Sequence, residues 1–156
     1  MNVPDDLYSL TNASMIQIII ISYGAGHNDP PDGDALDIDL RDELRNPPDD
    51  PAVRDRMTQL TGLDAEVRRY VLATPGAREV IESIADRAEA LFRGYYDPRW
   101  LMSYVHIKCQ GGRHRSVAVA EEVAVWLRAR GIGVEVQHRH INHPILPARL
   151  TPEVDR

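Results

Sequence analysis

One short segment of the chain combines residue types that bind phosphate. It runs from Lys108 to Val117 and contains two adjacent glycines followed by Arg-His-Arg-Ser. Glycines let a backbone turn tightly and approach a ligand closely, because no Cβ stands in the way. Arginine supplies charge-assisted donors, and the free N–H groups at a helix N-terminus attract anions. The alternative is a tight strand–helix turn whose charged side chains are only solvated. The predicted anion site consists of Cys109, Gln110, Gly111, Gly112, Arg113, His114, Arg115 and Ser116.

The same segment also fits the Cys-x5-Arg-Ser loop of cysteine-dependent phosphatases, in which a thiolate attacks phosphorus. In this second hypothesis Cys109 and Arg115 are catalytic; in the first, Cys109 is a small buried residue at a strand end. Lys108 argues against catalysis, because those enzymes generally have histidine there. Asp97 also argues against it, since it precedes the strand and lies about 20 Å from the loop. The remaining candidates for a general acid are Asp29, Asp32 and Asp34.

Four strands are predicted around this segment. Residues 15–23 are an isoleucine-rich run, typical of a strand buried on both faces, and residues 36–40 alternate between apolar and polar. Residues 104–109 and 134–138 complete the set. Strands separated by helices indicate a single α/β domain with a mostly parallel sheet of about four or more strands.

Helix signals fill the stretches between these strands. Residues 52–60 are weakly helical, and Asp64 is placed to open a further helix. The pair Thr74-Pro75 predicts the start of another, as a cap residue followed by proline at the first helical position. A last helix is predicted over residues 115–130, with Gly131 ending it.

Ligands on parallel sheets bind beyond the carboxyl ends of the strands. Residues that end or follow the other strands should therefore join the glycine-rich segment in one pocket. Asp39 has two interpretations there, as an acceptor for a ligand hydroxyl or as an ion-pair partner that orients Arg41. The single cysteine and the absence of paired ligand spacing argue against zinc, so no metal and no cofactor are predicted. The further pocket residues are Ser22, Tyr23, Gly24, Asp39, Arg41, His138 and Arg139.

Composition sets the general class of protein. The chain has 156 residues, a length that is enough for one domain. Its formal charge is −6. Its single cysteine excludes an intramolecular disulfide. No apolar run approaches the ~20 residues of a membrane span, so we expect a soluble cytoplasmic protein without a membrane partner. The expected organisation is an N-terminal segment over residues 1–14, the α/β domain over 15–141 and a proline-containing tail over 142–156.

Several separated motifs resemble the C-terminal domain of the RapZ family of RNase adapter proteins. The resemblance covers about residues 18–141 and keeps the family's motif order, with one residue inserted before Asn46-Pro47. The matching motifs are Ser22-Tyr23-Gly24, Asp39-Leu40-Arg41, Asn46-Pro47, Thr61-Gly62-Leu63-Asp64, Ser103-Tyr104, Cys109-x-Gly111-Gly112-x-His114-Arg115-Ser116-Val117, Arg130-Gly131 and His138-Arg139.

The resemblance implies a domain that binds an amino-sugar phosphate, glucosamine 6-phosphate, and contacts small regulatory RNA and ribonuclease E. We accordingly expect a sensor or adapter for a phosphorylated sugar or nucleotide, with a homo-oligomer left open. We expect the domain to stand alone, because no Gly-x4-Gly-Lys-Ser/Thr signature is present and Lys108 is the one lysine. The net charge of −6 and the lack of the family's basic tail argue against broad RNA affinity.

Overall fold

The computed structural model describes residues 15–45, 48–94 and 102–147. Asp97, Asn46-Pro47, the predicted N-terminal segment and the end of the predicted tail lie outside these ranges. In the described residues the strands are β1 (Ile18–Gly24), β2 (Leu36–Asp39), β3 (Ser103–Cys109) and β4 (Val134–His138). The α-helices there are α1 (Pro51–Gln59), α2 (Ala65–Leu72), α3 (Ala77–Gly94) and α4 (Arg115–Ala129).

The four strands form one parallel sheet in the order β2-β3-β1-β4. In its register Gly24 pairs with Cys109, Ser22 with His138, and Asp39 with Lys108. The predicted parallel α/β sheet is therefore confirmed. All four carboxyl ends lie at one edge, so the glycine-rich segment that follows β3 is flanked by the chain leaving β2 on one side and by the chains leaving β1 and β4 on the other.

The core lies between the sheet and the helices. Ile18 and Ile20 of β1 are fully buried, and Leu127 of α4 is fully buried against the same cluster. Burying one such side chain contributes about 1.5–3 kcal/mol. Helix α4 is itself enclosed by α2 and α3, which explains why its first turns are buried from Ser116 to Ala120. The start of α4, where the predicted anion site lies, is consequently rigid.

The connection from β1 to β2 crosses the sheet in the opposite direction to the connections from β2 to β3 and from β3 to β4. It begins with a short 3-10 turn, Ala25–His27, and must return the chain to the amino end of β2. Right-handed crossovers are the rule for parallel strands, and this rule places the return on the sheet face away from the helices. By strand alternation Tyr23 and His106 belong to that face, where their rings meet edge to face at 6.4 Å.

Most predicted elements agree with the structure within a few residues. Strand β1 begins later than predicted, at Ile18, because Met15 and Ile16 are exposed and precede the ladder. Gly131 has a φ of 79°, as expected of a glycine that ends a helix. No helix among the described ranges is long and apolar enough to cross a bilayer.

The predicted helix start at Thr74-Pro75 is wrong. Helix α3 begins at Ala77, whose N–H donates to the Thr74 carbonyl at 3.0 Å. Gly76 has a φ of 86°, which makes Pro75-Gly76 the central pair of a type II turn. The cap-and-proline start occurs instead in α1, where the Asp50 carboxylate accepts from the Ala52 N–H at 2.9 Å and Pro51 is the first helical residue.

Candidate functional site

The glycine loop, residues 110–114, joins β3 to α4 and is packed directly against the end of β1. Gly112 has a φ of 73°, and a Cβ there would lie 2.5 Å from the Gly24 nitrogen. A Cβ on Gly24 would lie 2.6 Å from the Gly111 carbonyl carbon. Two backbones therefore touch with no side chain between them. Glycine is required at positions 24 and 112 for this reason, whereas a Cβ on Gly111 would meet nothing within 4 Å.

Cys109 lies beneath the loop and is only 4% exposed. Its Sγ accepts from the Gly112 N–H at 3.3 Å and lies 3.1 Å from the hydroxyl of Ser116, which is fully buried. The thiol thus links the end of β3, the glycine loop and the first turn of α4. It occupies the position expected of a small buried residue that organises the loop.

In the described part of the chain, no side chain caps the start of helix α4. His114 is the N-cap residue, with φ −115° and ψ −80°, and makes no capping bond. The first-turn amides, which have no partner within a helix, carry the positive end of the dipole. The His114 ring turns away instead, with Nε2 2.8 Å from the Leu60 carbonyl and 3.0 Å from that of Met57. Carbonyls only accept, so Nε2 carries the hydrogen. Burial lowers the pKa of His114, which leaves the ring neutral rather than cationic.

Arg115 points toward the chain leaving β2. Its Nη1 donates to three carbonyl oxygens, those of Leu40 at 2.5 Å, Glu43 at 2.8 Å and Arg41 at 3.3 Å. Leu44, the next residue along, has a φ of 56°. Arg115 therefore fastens the chain after β2 to the start of α4.

Arg113 points the opposite way, toward the chain leaving β4. Its Nη1 donates to the carbonyls of Ile141 at 2.9 Å and His143 at 3.2 Å. Its Nε is buried and has no hydrogen-bond partner within residues 15–45, 48–94 and 102–147. Arg113 of the loop and Arg115 of α4 thus contact the two opposite flanks of the loop, and Arg113 keeps a buried donor without an acceptor among the described residues.

A histidine cluster packs beside the loop on this second flank. The Gly24 N–H donates to Nδ1 of His140 at 2.9 Å, so the hydrogen of this fully buried ring is on Nε2, which lies 3.1 Å from the Asp29 carboxylate. The ring also stacks on His27 with centroids 4.5 Å apart, and His27 Nε2 lies 3.2 Å from the Gly111 carbonyl. Burial lowers the pKa of His140. Both nitrogens of His140 are occupied, and within the described ranges no group of three His, Cys, Asp or Glu side chains suits a metal ion.

Ion pairs mark the two outer edges of the site. Asp29 binds Arg139 at 2.8 Å, and the Arg139 and His140 contacts lower the pKa of Asp29 to about 2. Asp39 binds Arg41 at 2.7 Å, which lowers the pKa of Asp39 to about 2. The ion-pair interpretation of Asp39 is thus the one present. Asp39 ends β2 and Arg139 follows β4, the opposite edge strands of the sheet, and among the described residues no contact joins the two pairs.

The remaining predicted residues have partners within the protein. Ser22 is fully buried, with its hydroxyl 2.6 Å from Nδ1 of His138, whose Nε2 lies 2.7 Å from Glu121. The Tyr23 hydroxyl donates to Asp37 at 3.0 Å, and burial together with Asp37 raises the pKa of Tyr23. Gln110 accepts from the Gly26 N–H through its carbonyl at 3.0 Å. A ligand-binding role for these residues stays a prediction.

A cavity of about 340 Å³ opens on the β2 side of the glycine loop. Only His114 and Arg115 of the predicted residues line it. Sequence patterns did not reveal the others, because those on α2 follow ordinary amphipathic helical spacing and those on α1 lie in a stretch with only a weak helical pattern. The residues not predicted are Leu44, Arg45, Pro48, Arg54, Met57, Thr58, Val67, Tyr70, Val71 and Thr74.

A parallel sheet with a glycine loop leading into a buried helix defines an α/β domain of the class in which ligands bind at the carboxyl edge of the strands. The model of the RapZ C-terminal domain matches residues 16–142, and the chain belongs to that family. It is 37% identical over 137 residues to a nucleotide-binding protein of Leifsonia xyli subsp. xyli, covering 87% of this chain and 44% of that protein. It is 44% identical over 121 residues to a nucleotide-binding protein of Rubrobacter xylanophilus, covering 78% of this chain and 38% of that protein. The chain thus spans less than half the length of these relatives.

Proposed function

We propose that the chain is a sensor or adapter domain that binds a phosphorylated small molecule, with the phosphoryl group at the glycine loop and the start of α4. The observation that carries this proposal is the buried Nε of Arg113, for which the described residues supply no acceptor. Buried polar groups are almost always hydrogen-bonded, so a donor of this kind on the loop that leads into α4 favours a bound anion. The uncapped start of α4 adds dipole attraction for the same charge.

The cavity beside His114 and Arg115 supports binding of the organic part of the ligand. Its volume of about 340 Å³ falls within the range of small-molecule sites and suits a ligand of sugar or nucleotide size. The Arg45 side chain is exposed at its rim, and Tyr70 and Met57 offer apolar surface for the organic part. The relatives from Leifsonia and Rubrobacter are named nucleotide-binding proteins, which is compatible with a phosphorylated ligand.

Two observations favour binding over phosphatase turnover. A general acid must be protonated, and of the three candidates Asp29, Asp32 and Asp34, Asp29 has a pKa of about 2 because Arg139 and His140 hold its charged form. The thiol that would attack phosphorus, that of Cys109, is only 4% exposed. An RNA or a ribonuclease as the downstream partner rests on the family resemblance.

Thermal unfolding in the presence of inorganic phosphate, glucosamine 6-phosphate and a nucleoside monophosphate tests the proposal. A ligand at 100 times its Kd adds about 2.7 kcal/mol, which corresponds to a rise in Tm of roughly 5–11 °C for a domain of this size. Arg113→Ala should weaken binding about 10- to 150-fold, the value of a charge-assisted contact. Arg113→Lys should recover only part of this, because an ammonium lacks the planar fork.

The matched control is Arg128→Ala, since Arg128 also donates to a backbone carbonyl, that of Val134 at 2.9 Å, but lies at the other end of α4. It should bind phosphate like the wild type. Absence of stabilisation by every ligand, or equal affinity in Arg113→Ala and the wild type, would contradict the site. Turnover of an aryl phosphate that disappears in Cys109→Ser would contradict a purely binding role.

A further inference from the structure

The chain that leaves β2 holds a residue in an unfavourable conformation. We refer to residues 40–45 as the β2 exit segment. Leu44 within it has a φ of 56°, in the left-handed region. This region is unfavourable for a branched side chain, because Cβ approaches the neighbouring carbonyl oxygen. The surrounding contacts must therefore impose the conformation of Leu44.

Arg115 supplies those contacts. Its Nη1 donates to the carbonyls of Leu40, Arg41 and Glu43, which lie immediately before Leu44. All three acceptors are neutral carbonyls, and in the described residues Arg115 forms no ion pair. A guanidinium binds phosphate oxygens more strongly than carbonyl oxygens, because the charged acceptor roughly doubles the strength of the bond.

The segment and the arginine also belong to the same cavity. Leu44 and Arg45 form part of its wall, and Arg115 lines it from the start of α4. Arg115 is the first residue of that helix, directly beside the amides at which the anion is proposed to bind. An anion at those amides therefore lies within reach of the guanidinium that fastens the wall of the cavity.

We propose that the β2 exit segment is a ligand-responsive switch, an inference that rests on the proposed function. An anion at the start of α4 draws Arg115 away from the three carbonyls. Leu44 then leaves the left-handed region, and residues 40–45 take a different position on the surface. A ligand shifts such an equilibrium only through its differential affinity for the two states. The difference in affinity arises because Arg115 exchanges carbonyl acceptors for the charged anion. Relief of the backbone strain at Leu44 adds to it.

Hydrogen exchange with inorganic phosphate as the probe tests the switch directly. The Glu43 amide, which donates to the Leu40 carbonyl at 3.2 Å, is a suitable reporter. Its exchange should rise several-fold on saturation with phosphate, whereas amides of β1 and β4 should keep their protection. An unchanged Glu43 rate in phosphate-saturated protein would overturn the switch.

Leu44→Gly and Leu44→Ala form a matched pair, because both remove the side chain while only glycine adopts a positive φ without penalty. Glycine stabilises the state in which Arg115 binds the three carbonyls, so Leu44→Gly should bind phosphate about 5- to 30-fold more weakly than Leu44→Ala, the size of the left-handed penalty. Equal affinity in the two variants would overturn the switch and leave the proposed function standing. If the wild type shows no phosphate binding at all, both the proposed function and the switch fail.

Discussion

The two flanks of the glycine loop use the same residue type in different surroundings. On the β4 flank, Arg113 joins a packed region in which Gly24 touches the loop backbone and His140 is fully buried. On the β2 flank, Arg115 fastens a segment that contains the strained Leu44 and borders an open cavity. One flank is held by close backbone packing and the other by a single guanidinium. A ligand that competes for guanidinium donors should therefore disturb the β2 flank and leave the β4 flank in place.

The largest expected effect tests the packed flank. Gly112→Ala should lower the free energy of unfolding by at least about 2 kcal/mol, because alanine is strained at a φ of 73° and its Cβ would meet the Gly24 nitrogen at 2.5 Å. This corresponds to a fall in Tm of roughly 4–8 °C. The control is Gly111→Ala, where the added Cβ meets nothing within 4 Å. If urea and thermal denaturation show equal losses of unfolding free energy for the two variants, close backbone packing does not distinguish the β4 flank from the β2 flank.

A smaller effect depends on pH. The buried His140 ring must stay neutral to accept from the Gly24 N–H, and burial lowers its pKa below the ordinary value of 6.5. Below about pH 6.5 the unfolded chain therefore binds more protons at this position than the folded protein does. The free energy of unfolding consequently falls as the pH decreases from about 6.5. Asp29 keeps its charge throughout, because its pKa is about 2. His106 and His114, whose pKa values burial also lowers, contribute to the same slope.

His140→Gln separates this contribution from the others. The glutamine carbonyl can accept from Gly24 but does not titrate, so urea unfolding between pH 7.5 and 5 should show a shallower decline than in the wild type. An undiminished slope in His140→Gln would show that the β4 flank does not depend on a neutral ring at this position.

The smallest expected effect concerns the outer edge of the β2 flank. The Asp39 and Arg41 side chains are 40% and 39% exposed, and exposed pairs contribute about 0.2–1 kcal/mol. Asp39→Asn should therefore lower stability at pH 7 by less than about 1 kcal/mol. The pKa of about 2 places loss of this contribution below pH 3.8. A double-mutant cycle with Arg41→Gln measures the coupling, and a value above about 2 kcal/mol would mean that this edge is as firmly held as the other flank.

Elements with strong local signals were predicted correctly from the sequence. Strand β4 coincides with the predicted residues 134–138, and Gly131 ends its helix as expected. Thr74-Pro75 failed because the next residue, Gly76, turns the same pair into a type II turn. A cap residue followed by proline fits both a helix start and a turn, and the residue that follows decides between them.

The partners of the site residues could not be predicted in the same way. The carbonyls that Arg115 binds lie more than 70 residues earlier in the chain, and a backbone carbonyl has no sequence signature. The sheet order was also needed to show that Asp39–Arg41 and Arg139 follow opposite edge strands. The cavity was missed because Met57 and Val67 resemble ordinary core positions of their helices.

The central position of β1 has a consequence for synthesis of the chain. Its partners are β3 and β4, and Ile18 pairs with Ser103 and Val134. This isoleucine-rich strand therefore leaves the ribosome long before either neighbour exists, and neither of its edges can pair until most of the domain has been made. Such non-local pairing slows folding and exposes apolar strand edges to other chains. We expect nascent chains halted before β3 to need chaperone protection of residues 18–24.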